Sequence, residues 1–244
     1  MRTLENNDFM ILNNIIYKIH TKVDFLNMRK EFLEQIKMIL DFDSADFYLS
    51  EGDGKVTLID QVTYNCPLNI AKDFETQDYS QGILSSGKCM IYKESDILQE
   101  DKRVKTQYYK NVYKVNHWHH ALQCVLAYDQ EFLGVITFYR TLGKSDYEYS
   151  DIFLLDMIKD HLAYRIYKER QNTTDKRSLA NAIELYALTK KEQVVLEMMM
   201  QGLSNDEICE KNVITYNTLK KHVYNLYRKI GVRNRIELFK LIGK

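Results

Sequence analysis

A chain of 244 residues with 45% hydrophobic and 28% charged side chains has the material for a packed core, which excludes a disordered or collagen-like polymer and suits an ordinary domain joined to a smaller one. The net charge of zero excludes nucleic-acid binding by bulk basicity, yet the charge is unevenly spread: from Tyr186 onward 11 Lys and Arg face 6 Asp and Glu, and the rest carries 23 against 28. Cys66, Cys89, Cys124 and Cys209 lie far apart with no C-x-x-C pair, so neither a zinc ribbon nor a disulfide framework is expected.

Phe9, Leu12, Ile15, Ile16 and Ile19 recur at helical spacing, and Phe25, Met28, Phe32, Ile36 and Ile39 repeat the pattern after Asp24, which predicts two amphipathic helices. Ala45 to Ser50, a turn at Gly52-Asp53-Gly54 and the alternating Lys55 to Tyr64 predict a β-hairpin. A weaker helix over Ile70 to Ser86, stopped by Gly87, and a short strand over Cys89 to Tyr92 follow. Asp96 to Asn116 is polar and Tyr-rich and is read as loop and helix; Ala121 to Tyr128 and Phe132 to Arg140, around a turn at Asp129-Gln130-Glu131, predict a second hairpin.

From Asp146 to Arg170, Ile152, Leu155, Ile158, Leu162 and Ile166 form one stripe, with Phe153 and Met157 on a neighbouring one. Such a face either covers the sheet and meets a second subunit, or fills a single deep core position. Gln171 to Arg177 is polar and reads as a linker. No basic-then-apolar leader opens the chain, and no apolar run approaches the roughly 18 residues that span a bilayer, so a cytoplasmic protein without membrane contact is expected.

Near the C-terminus three start signals repeat: Thr189 with Glu192, Ser204 with Glu207 and Asn234 with Glu237, each a capping oxygen three residues before a glutamate. Thr215 is a fourth N-cap, and Gly202 and Gly231 stand where helices should stop. Four helices in under 60 residues make a compact bundle, and the helix from Ser204, a tight turn at Val213 and Ile214, and the helix from Tyr216 to Ile230 have the proportions of a helix-turn-helix. On that last helix Leu219, Val223, Leu226 and Ile230 face inward, while Asn217, Lys220, Lys221, Tyr224 and Arg228 form an outward face without a carboxylate. Six basic side chains and no acid lie between Lys211 and Asn234, a pattern shared by phosphate-gripping segments and by solvated helix faces.

Leu188-Thr189, Glu192, Val195-Leu196, Gly202, Ser204-Asn205, Glu207-Ile208, Thr218-Leu219-Lys220, His222, Asn225 and Lys229-Ile230-Gly231-Val232 resemble the LuxR-type helix-turn-helix family. The resemblance implies a DNA reader in which Lys220, Lys221 and Tyr224 face bases, Thr218, Asn225 and Arg228 face phosphates, and Thr215 and Asn217 open the reading helix. Two departures stand out: Asn212 takes the place of a core leucine, and Tyr224 is a variable reader. Upstream, Asp43-Ser44-Ala45-Asp46-Phe47-Tyr48 and Glu131-Phe132-Leu133-Gly134-Val135-Ile136 resemble a GAF domain.

The expected fold is therefore α+β: a GAF-like sensor or dimerisation domain at 1–170 (antiparallel sheet with packed helices), a linker at 171–184, and an all-α four-helix LuxR-type domain at 185–244. The expected function is a transcription regulator, not an enzyme, which binds double-stranded DNA as a homodimer under the control of a small-molecule effector and meets RNA polymerase if it activates. The alternative is a constitutive regulator whose N-terminal domain only dimerises or binds a protein. A phosphoacceptor receiver is disfavoured because two helices come first, and an acyl-homoserine-lactone sensor because Trp118 is the only tryptophan. His117-Trp118-His119-His120 with Cys124 invites a metal, but no carboxylate or second cysteine completes a set; no metal or cofactor is expected.

Overall fold

The computed structural model describes residues 5–52, 55–68 and 81–242. The chain divides into two compact units, Met1–Lys168 and Glu169–Lys244.

In the first unit, helices α1 (Asn6–Thr21) and α2 (Phe25–Ile36) are those expected, with the Asp24 carboxylate accepting from the Asn27 amide at 3.0 Å to cap α2. Five strands follow: β1 (Ser44–Gly52), β2 (Lys55–Tyr64), β3 (Met90–Lys93), β4 (Trp118–Tyr128) and β5 (Glu131–Thr141). They form one sheet in the order β2-β1-β5-β4-β3, and every pairing is antiparallel. Both expected hairpins are present. The β4–β5 turn is tighter than expected, because Asp129 and Gln130 both take positive φ (50° and 64°) and Glu131 already belongs to β5. Gly87 (φ +66°) is forced by this turn: a Cβ there would come within 2.4 Å of the Gln130 carbonyl oxygen.

Of the helix expected over Ile70 to Ser86, residues 69–80 lie outside the described residues, as do Asp53 and Gly54 of the first hairpin turn; the remainder contains a short helix at Gln81–Leu84. The polar 96–116 stretch resolves into short helices at Glu94–Ile97 and Glu100–Arg103 and a π-helical turn at Tyr109–Tyr113.

Helix α3 runs Tyr149–Leu185. Leu12, Ile15 and Ile19 of α1, Met28, Phe32 and Leu33 of α2, and Leu155, Ile158 and Leu162 of α3 pack together on one sheet face. The expected stripe on α3 is present, with Leu155, Ile158, Leu162 and Ile166 buried and Ile152 half-buried; the neighbouring one is corrected, since Met157 is half-buried but Phe153, about 200° round the helix from Leu155, is 56% exposed. The other sheet face carries aromatic residues, with Trp118 stacked on Tyr139 at 3.9 Å and Tyr113 edge-on to both.

Residues 171–184, expected as linker, are helical rather than coil. No glycine or proline occurs between Gly143 and Gly202, so nothing in the chain stops α3 before Ala187, which takes a left-handed φ of 46°. Within the second unit, Leu179, Ala182, Ile183 and Tyr186 follow helical spacing and pack into the core formed by α4 (Lys190–Met200), α5 (Asn205–Asn212), α6 (Tyr216–Ile230) and α7 (Arg235–Ile242). The architecture is α+β in the first unit and all-α in the second. Among the described residues, no helix is long and apolar enough to cross a membrane.

Candidate DNA-reading face

Each helix of the second unit begins on a side-chain cap. Thr189 and Glu192 form a reciprocal box at 3.4 and 2.8 Å, and Ser204 and Glu207 another at 3.3 and 2.7 Å. At α7 the box is shifted by one residue: the Asn234 side chain accepts from the Glu237 amide at 2.9 Å, but Glu237 reaches back to the Arg233 amide at 2.8 Å. Helix α4 ends in a Schellman turn around Gly202, with the Leu203 amide donating to the Met198 carbonyl at 3.2 Å.

The same closure ends α5, and here the left-handed position holds Val213 (φ 51°, ψ 47°), with the Ile214 amide donating to the Cys209 carbonyl at 3.0 Å. This turn aims α6 after α5. Asn212, where the luxR-like pattern has leucine, is half-buried and its amide donates to the Ile208 carbonyl and the Met198 sulfur, each at 3.0 Å. Both donors of the departing residue thus find acceptors, so the substitution leaves no orphaned polar group on that nitrogen.

Leu219, Leu226 and Ile230 of α6 are buried and Val223 packs against them. On the opposite side Asn217, Lys220, Lys221, Tyr224 (65% exposed) and Arg228 are all exposed. Thr215 is exposed and works as the cap, accepting from the Thr218 amide at 3.3 Å; Thr218 and Asn225 are half-buried on the flank. The face carries cations, an amide and a phenol, groups that donate to base-edge acceptors and to phosphate oxygens.

Lys229 Nζ lies 2.7 Å from Glu192 and 3.2 Å from the Ala187 carbonyl, tying α6 to the start of α4. Burial disfavours the Glu192 charge, but the Lys229 ammonium and the Thr189 amide and hydroxyl outweigh it and hold the carboxyl below its ordinary value. Spacing alone did not reveal this bond, because its partners are 37 residues apart.

In the first unit His119 uses both ring nitrogens, 2.7 Å from the Tyr109 hydroxyl and 2.9 Å from Glu100, and His120 lies 3.5 Å from Asp146. His119 and His120 therefore engage separate partners, and among the described residues no three His, Cys, Asp or Glu side chains are grouped to hold a metal.

Residues 186–242 match the family described as bacterial regulatory proteins, luxR family. The C-terminal unit carries a luxR-type helix-turn-helix. The CsgBAC operon transcriptional regulatory protein of Escherichia coli K12 is 42% identical over 57 residues, 23% of this chain and 26% of that protein. The transcriptional regulatory protein LnrK of Bacillus subtilis is 46% identical over 54 residues, 22% of this chain and 24% of that protein. The match thus spans about a quarter of these relatives' length. The family description and the names of these relatives are those of regulatory proteins. The GAF domain of an Acinetobacter phosphoenolpyruvate-protein phosphotransferase superposes with a TM-score of 0.50 at 11% identity, over 68% of this chain and 96% of that one, which places the first unit in the GAF-like fold.

Proposed function

We propose that the chain is a sequence-specific DNA-binding regulator of transcription, with α6 in the major groove and the luxR-type unit as its reader. The observation that carries this reading is the acid-free exposed face of Asn217, Lys220, Lys221, Tyr224 and Arg228 on the second helix of the helix-turn-helix. Lys220, Lys221 and Tyr224 read base edges; Thr215, Asn217, Thr218, Asn225 and Arg228 position the helix on sugar and phosphate. One short recognition helix covers too few base pairs to specify a genomic site, so the working form is a homodimer on two half-sites.

The N-terminal unit supplies the control, by sensing a small-molecule effector, and an activator would in addition meet RNA polymerase. A second reading, in which this unit only dimerises, is favoured by one observation: Tyr149 and Phe153, one turn apart on α3, are both exposed. Retention of genomic DNA fragments by wild type and by Lys220→Ala/Lys221→Ala, at two salt concentrations, tests the reader. A discrete fragment set enriched by wild type and lost by the folded double variant is expected; equal behaviour would reduce α6 to a solvated helix.

A further inference from the structure

Beside the reading face lies a groove of about 250 Å³ that base reading does not use. Lys190, Lys191 and Val194 of α4 line it together with Asn212, Ile214 and His222, and no carboxylate is among its lining residues. The three α4 residues share one face by their three- and four-residue spacing. Val194 is 38% exposed, Ile214 half-buried, and both lysines are exposed with no ion pair among the described residues. His222 sits about 100° round α6 from Lys221, so the groove flanks the base-reading side rather than lying on it.

We propose that this groove docks an acidic, amphipathic helical segment of a protein partner. The lysines alone would accept a nucleic-acid backbone as readily as a peptide. The apolar floor decides between them: a sugar-phosphate strand has no apolar side chain to bury there, whereas a helix with leucines between glutamates fills the floor and pairs with both ammonium groups. The partner's carboxylates then lie on the flank of the helix that enters DNA, so partner and DNA oppose one another by like charge, and the segment binds the DNA-free form more tightly.

The probe is a fluorescein-labelled 16-residue helical peptide with leucines at i, i+3, i+4 and i+7 and glutamates elsewhere, titrated by anisotropy into the full chain. Saturable binding is expected, weakened at least ten-fold in Val194→Asp, in Lys190→Glu/Lys191→Glu, and when glutamine replaces glutamate in the peptide. Lys220→Ala/Lys221→Ala should keep peptide binding, which separates this inference from the reading of α6. Both groove variants change exposed residues, and circular dichroism checks their fold. No saturable binding, or equal binding to Val194→Asp, overturns the proposal; so does a folded Val194→Asp that loses its DNA fragments, since the groove would then belong to the DNA interface.

Discussion

The Lys229 ammonium sits 2.7 Å from the Glu192 carboxylate, and Glu192, on the inner side of α4, is only 4% exposed. Removing the cation leaves a buried carboxylate with only the Thr189 cap. Lys229→Met is expected to lower the stability of the luxR-type unit by about 2 kcal/mol, the cost of an uncompensated buried charge reduced by the partial exposure of Lys229. Urea denaturation followed by circular dichroism measures it. Because the folded carboxyl titrates below its ordinary 4.5, the contribution of Glu192 is fully present above that value and is lost as the pH falls through the lower, folded one. Wild type should therefore lose stability on acidification more steeply than Glu192→Gln.

Val213 occupies a left-handed backbone position that a β-branched side chain tolerates poorly, and it is 91% exposed, so no packing recovers that strain. Val213→Gly is expected to stabilise the unit by about 1 kcal/mol, the left-handed penalty less the added freedom of glycine in the unfolded chain. Affinity for the enriched DNA fragments should not change. A melting temperature equal to or below that of wild type would show that the turn carries no strain.

Asp46 lies fully buried in β1 with its carboxylate accepting from the Tyr139 hydroxyl at 3.1 Å; burial pushes its carboxyl up to about 7. The fold thus binds this proton more tightly than the unfolded chain does. Stability is highest below the ordinary 3.8, declines as the pH rises toward 7, and is flat beyond it as far as this group is concerned. Asp46→Asn keeps a carbonyl acceptor for Tyr139 and removes the charge. It should raise stability at pH 8 by at most about 4 kcal/mol and much less at pH 5, read from urea midpoints at the two pH values.

Phe153, not Leu155, is the residue of α3 with which to test self-association. Leu155 is core, so a polar residue there unfolds the first unit whatever the oligomeric state. Phe153→Glu should leave the melting temperature within a few degrees and weaken the dimer at least ten-fold in sedimentation velocity. An unchanged dimer would place the interface elsewhere.

Local features were the most legible in the sequence. Thr189, Ser204 and Thr215 mark helix starts because a cap joins residues three apart, and Leu219, Leu226 and Ile230 mark a buried face because the helix repeats every 3.6 residues. Both hairpins were readable from alternation and turn residues. What the sequence hid depends on distance or on mixed composition. The Glu192–Lys229 pair has no period, and the groove beside α6 joins three helices and a turn. Over 171–184 the polar residues mask the sparse apolar positions Leu179, Ala182 and Ile183, so a helix reads as a linker. On α3 the stripe through Leu155, Ile158, Leu162 and Ile166 is legible from its period, whereas Phe153, apolar but about 200° round the helix from Leu155, faces solvent.

The final turns of α3 carry a practical consequence for anyone dissecting this molecule. The stretch shared with luxR-type relatives begins at residue 186, and cutting there is the natural choice for isolating the reader. Such a cut removes Leu179, Ala182 and Ile183, one wall of the reader's own hydrophobic interior, and leaves the side chains they cover open to water. The ancestry of the reader and its smallest self-sufficient piece therefore have different beginnings, separated by about two helical turns.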